Sequence, residues 1–125
     1  PFQSPVASRF ALAAFWAACA TVGVLSLTPV DRLPPQIFDI WDKAQHAAGF
    51  AGLALLGRSA YPRRMPGLVT GLLLYGALIE VAQAATGWRH GDVNDWLADA
   101  VGILIGVTLF RLLLPAFSRK AGDAQ

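Results

Sequence analysis

Four apolar stretches separated by short polar segments run along the chain. The first, residues 10–27, holds no charged side chain over 18 residues. At 1.5 Å per helical residue that is close to the length of a hydrocarbon core of about 30 Å. Pro29, Pro34 and Pro35 end it. The second covers residues 43–61, with an uncharged core over 44–57 that, alone, would also suit a buried helix of a soluble protein. The third, 67–85, carries Glu80 and Gln83. The fourth, 96–114, carries Asp99 and Arg111 and is expected to stop before Pro115. Only the first passes a strict test for a membrane span. The others qualify by its company and because their charges lie near one end, where Lys43, Arg58 and Arg111 can snorkel to the interface. Trp41, Tyr61, Trp88 and Trp96 fall at segment ends, as an aromatic belt requires. The pattern predicts an all-α fold: a single domain over residues 1–125, built as a four-helix transmembrane bundle with short loops.

Two finer features follow from spacing. Ile37, Ile40 and Trp41 share one helical face, with Pro35 at a first-turn position, which predicts a short helix lying on the membrane surface. Ala98, Gly102 and Gly106 form a small-residue stripe at four-residue spacing. Its first expected use is a packing seam inside the bundle; its second is oligomer formation.

Composition sharpens the class. Hydrophobic residues make up 55% and charged residues 14%, against about 25% charged in soluble domains. Mean hydropathy is +0.49. These values exclude disorder and an ordinary soluble domain. The ten Lys and Arg form no run that could track phosphates, so no nucleic-acid partner is expected despite a net charge of +2 and a pI near 9.2. Their distribution instead gives a topology. Arg9, Arg58, Arg63, Arg64, Arg111, Arg119 and Lys120 fall on one side, and Arg32, Lys43 and Arg89 on the other. The positive-inside rule puts both termini in the cytoplasm and the first and third loops outside. Cys19, the single cysteine, allows no internal disulfide and reads as a small apolar filler. A signal peptide cleaved near Ala18-Cys19-Ala20 is the rival reading of the first segment, but the apolar run continues to Leu27. The chain starts at Pro1 and its only methionine is Met65, so an initiator region is expected ahead of it.

The ionisable residues within the spans gather at one end. Asp42, Lys43 and His46 fall in the first turns of the second helix, Glu80 and Gln83 in the last turns of the third, and Asp95 and Asp99 around the first turn of the fourth. Arg89, His90 and Asp92 lie in the loop between the last two. Asp42 and His46 are i,i+4, Glu80 and Gln83 i,i+3, and Asp95 and Asp99 i,i+4, so each pair shares a face. A carboxylate facing lipid is costly, so these faces should turn inward and meet as a polar pocket on the outer side.

The stretches Asp42-Lys43-Ala44-Gln45-His46, Glu80-Val81-Ala82-Gln83 and Arg89-His90-Gly91-Asp92 through Asn94-Asp95 to Asp99 and Gly102, preceded by Leu25-Ser26-Leu27-Thr28-Pro29, resemble the VanZ-like family over about residues 26–106. Asp99 stands where many members carry Asn. The resemblance implies a small integral membrane protein tied to the cell envelope, in a bacterial inner membrane. The family's namesake is associated with glycopeptide (teicoplanin) resistance. It supplies no reaction.

Three functions are consistent with the cluster. In the first, the pocket binds or modifies a membrane lipid or a lipid-linked envelope precursor. Asp42, His46, Glu80 and Asp95 are then the candidate catalytic groups, with His46 as general base. Lys43, Gln83, Arg89, Asp92 and Asp99 are the binding candidates, Arg89 suiting a phosphate-bearing headgroup. In the second, the cluster is structural, the protein is a non-enzymatic membrane partner, and Arg89 pairs with Asp92 or Asp95. In the third, it belongs to a proton or ion path. His46, Glu80, Asp95 and Asp99 are acceptable metal ligands, but no helix shows His-x-x-x-His or Glu-x-x-His spacing, so no metal and no cofactor is assigned. No serine falls near enough to suggest a Ser-His-Asp arrangement, Ser26 and Ser59 being the nearest.

Overall fold

The computed structural model describes residues 5–29 and 39–123, with side chains over 9–29 and 42–113. The described residues form four helices and no strand: α1 (Pro5–Leu27), α2 (Asp39–Ala60), α3 (Met65–Thr86) and α4 (Val93–Asp123). Each predicted span falls on one helix, to within a residue at Tyr61. Local chemistry explains the ends. Pro66 sits in the first turn of α3, where its missing N–H would have had no intrahelical partner. Gly87 closes α3 at φ +80°, a left-handed conformation that costs glycine little. Asp92 caps α4, its Oδ1 accepting from the Asn94 N–H at 2.8 Å.

Two expectations are corrected. The fourth helix does not stop before Pro115 but continues to Asp123. Proline has φ near the helical value, so it forfeits chiefly its own bond to the carbonyl four residues back; such a loss is tolerated in transmembrane helices. Ile40 and Trp41 do not belong to a separate surface helix; they lie in the first turn of α2. Pro34, Pro35 and Ile37 lie outside the described residues.

α2 is the centre of the bundle, touching α1, α3 and α4 and packing most extensively on α4. Residues 9–27, 65–86 and 93–113, within α1, α3 and α4, are long and apolar enough to cross a membrane. α2 carries Asp42, Lys43 and Arg58 and is screened by its three neighbours. Exposure is inverted relative to a soluble protein. Phe10, Val24, Leu74, Leu78, Val81, Leu104 and Leu112 point outward, each more than half exposed, while Glu80, Gln83, Asp95 and Asp99 are buried. This is the distribution that a hydrocarbon solvent favours, and the chain is an integral membrane protein.

The small-residue stripe is an internal seam. A Cβ on Gly102 would run into the Ala47 carbonyl, and one on Gly106 into the carbonyl of Ala51 and the side chain of Ala54. The α2 and α4 backbones therefore touch there, as small residues permit. Phe50, Leu53, Leu68, Leu72, Ile79, Ile103 and Val107 fill the core, with Phe15 and Cys19 from α1. Trp96 departs from the belt pattern: it is half-buried, and its indole N–H donates to the Leu73 carbonyl of α3 at 2.9 Å.

Candidate functional site

The side chains singled out in the sequence converge where α1 ends, α2 begins, α3 ends and α4 begins. A 3.0 Å hydrogen bond joins His46 Nδ1 to Asp99 Oδ1. With Nδ1–H as the donor, the Nε2 lone pair is left for chemistry, and Asp95 Oδ2 lies 3.8 Å from Nε2. Lys43 Nζ donates to Asp95 Oδ1 at 3.1 Å and to Asp92 Oδ2 at 3.4 Å, tying α2 to the start of α4. Glu80 Oε2 accepts the Asp92 N–H at 2.9 Å, tying α3 to the same place. Asp42, at i,i+4 to His46, offers a carboxylate oxygen within 4.8 Å of ligand atoms of both His46 and Asp95.

Gln83 and Arg89 also reach the end of α1. The last turn of α1 leaves carbonyls without intrahelical donors, and side chains from elsewhere in the chain reach them. Gln83 Nε2 donates to the Ser26 carbonyl at 2.8 Å, Trp88 Nε1 to that of Leu27 at 2.9 Å, and Arg89 Nη1 to that of Thr28 at 3.1 Å. The pairing of Arg89 with Asp92 or Asp95 is not formed; Lys43 holds both aspartates instead.

Three acceptor oxygens of the cluster are buried without a hydrogen-bond partner: Glu80 Oε1, Gln83 Oε1 and Asp99 Oδ2. The Asp99 carboxylate is fully buried and occupies the space that a Cβ on Gly76 would need, one turn before Glu80 on α3. Gly76 is a part of the site that the sequence reading missed. The available signal was its i,i+4 relation to Glu80. Five carboxylates (Asp42, Glu80, Asp92, Asp95 and Asp99) thus gather around Lys43, His46 and Arg89. One ring nitrogen of His46 and one oxygen each of Glu80 and Asp99 lie within 4.8 Å of one another, contributed by three different helices.

A cavity of about 480 Å³ opens beside this cluster between α1 and α2. Asp42, His46 and Arg89 line it on the polar side, and Val22, Leu25 and Phe50 on the apolar side. A second cavity, about 590 Å³, lies between α1 and α3 and is walled by Phe15, Trp16, Leu72, Tyr75 and Leu78, with Arg64 its one charged residue.

A four-helix membrane bundle whose acids and bases are drawn together at one end is the class that fold and site define. The family model VanZ/LLP1 matches residues 7–114, and the chain belongs to that family. No curated protein and no solved structure was found to match.

Proposed function

We propose that the cavity between α1 and α2 receives the headgroup of an amphiphilic, lipid-linked envelope molecule on the outer side of the membrane. One observation carries this reading: the cavity has an apolar wall of Val22, Leu25 and Phe50 and a polar rim of Asp42, His46 and Arg89. Acyl chains and a charged head need those two surfaces side by side. Arg89 suits a phosphate oxygen through its planar fork. His46, oriented by Asp99, is placed to take a proton from a hydroxyl or water at the rim. Lys43 keeps Asp95 in place beside the imidazole.

The test uses the full chain in neutral detergent, titrated with a short-chain phosphatidic acid and followed by tryptophan fluorescence. Saturable binding is expected, weakened about tenfold or more by Arg89→Ala or His46→Ala, about the worth of one charge-assisted hydrogen bond. In a glycopeptide-susceptible bacterium, the family resemblance leads to an expected shift in teicoplanin susceptibility that His46→Ala, Glu80→Ala and Asp95→Ala abolish at unchanged protein level. Wild-type binding and phenotype in those variants would refute the proposal.

A second reading is favoured by the α1 cap and by the Glu80 bond to the Asp92 N–H. Here the cluster is structural, and the protein acts as a membrane partner. It expects the same substitutions to lower folded yield, each as for a broken buried pair.

A further inference from the structure

We infer that His46, Glu80 and Asp99 form a divalent-cation site of the Mn²⁺ or Zn²⁺ kind. Among the described residues, two buried carboxylate oxygens of the cluster are left without a partner. Glu80 is nine-tenths buried and Asp99 fully buried, yet Glu80 Oε1 and Asp99 Oδ2 accept no hydrogen bond. Buried polar atoms normally find a partner, and a buried oxygen without one calls for a donor, a proton or a cation. His46, Glu80 and Asp99 each offer one ligand atom, and the three atoms lie within 4.8 Å of one another. An ion drawing these atoms slightly inward would meet them at ordinary metal–oxygen and metal–nitrogen distances of about 2.0–2.6 Å.

Charge points the same way. Lys43 is taken up by Asp92 and Asp95, and Arg89 donates to the Thr28 carbonyl, so neither neutralises Glu80 or Asp99. Two carboxylates and an imidazole suit a borderline transition-metal ion. Glu80 Oε2 is fixed by the Asp92 N–H, an outer contact that orients a ligand. The ligands come one from each of α2, α3 and α4, which explains why no within-helix motif announces them. The site does not depend on a headgroup in the neighbouring cavity. If one binds there, His46 would hold the ion and not accept a proton, and the ion would add a Lewis acid at the same membrane depth.

The experiment measures metal alone on the full chain in neutral detergent, without added lipid. Mn²⁺ is titrated and the free ion read by the loss of its aqueous paramagnetic resonance signal, with Zn²⁺ and Mg²⁺ as competitors. One saturable ion per chain is expected. Glu80→Gln, which retains an acceptor for the Asp92 N–H, and His46→Ala should each weaken it at least tenfold. Asp42→Asn, at the mouth, should change it less than threefold. An undiminished Mn²⁺ signal with the wild-type protein, together with no competition or thermal stabilisation by Zn²⁺, overturns the site whether or not the variants fold. So does wild-type affinity in Glu80→Gln, or loss of binding in Asp42→Asn alone, which would move the ion to Asp42, His46 and Asp95. Because no lipid is present, failure here leaves the headgroup proposal to its own test.

Discussion

Asp92 shows how much one side chain in this cluster is asked to do. It caps α4 through the Asn94 N–H, accepts from Lys43, and offers its own N–H to Glu80. The Asn94 N–H, ahead of the Lys43 ammonium, holds the Asp92 carboxyl below its ordinary value. A carboxyl lowered in the folded state stabilises the fold above its unfolded pKa, and that contribution is lost as pH falls through the lowered value. Asn can still cap a helix but has no charge to lose. The thermal midpoint of wild-type protein in detergent should therefore drop more steeply below about pH 4 than that of Asp92→Asn. Parallel curves would show that the Asp92 charge contributes nothing. Gln83 and Arg89 teach a related lesson at this scale. Their types and their positions near the cluster mark them as binding residues in the sequence, and the structure has both donate to the open end of α1. The sequence carries no sign of which carbonyls they reach, because those lie 57 and 61 residues away in the chain.

Among the helices, the α2–α4 seam is the feature most exposed to a single substitution. Gly102→Ala puts a methyl group against the Ala47 carbonyl, which is backbone and cannot step aside, so the two helices must part. Overpacking of this kind costs about 1–3 kcal/mol. Gly71→Ala on α3 meets nothing within 4 Å and should be neutral or stabilising by up to about 1 kcal/mol through helix propensity. Unfolding both variants in mixed micelles checks the contrast; equal effects would mean the seam is not tight. The site also depends on this seam, since Ala47 follows His46 and Gly102 lies one turn beyond Asp99. Pro115 illustrates the limit of a local rule. A proline signals a helix end because it lacks an N–H, but the sequences on either side continue to favour helix, and α4 passes through it.

For the molecule as a whole, the arrangement relative to the membrane follows from charge distribution combined with an even number of crossings. α2 is expected to cross as well, under the cover of the other three helices, so that four spans would return the chain to the side where it began. Both termini are expected in the cytoplasm, with the cluster at the outer surface. Single cysteines placed near each end, in a Cys19→Ala background, should be blocked by a permeant thiol reagent and spared by an impermeant one in intact cells. A cysteine at His90, exposed in the loop before α4, should react with both. The N-terminus and His90 reporting the same side of the membrane would mean that α2 does not cross.

What the residues alone determined is the solvent and the census. Long apolar runs require a bilayer, and scarce acids and bases within them must turn away from lipid, so four helices and a polar gathering at one end could be read directly. Their i,i+3 and i,i+4 spacings gave the face each pair occupies, since that is fixed by the helical repeat. What the tertiary structure alone decided is which atoms meet. That His46 bonds to Asp99, that Lys43 and not Arg89 holds Asp92 and Asp95, and that Glu80 and Asp99 each keep a buried oxygen unpartnered all depend on the rotation and depth of whole helices. Those are set by the contact of small residues between α2 and α4 and by the side chains that reach α1, interactions between segments too far apart along the chain for any local spacing to encode.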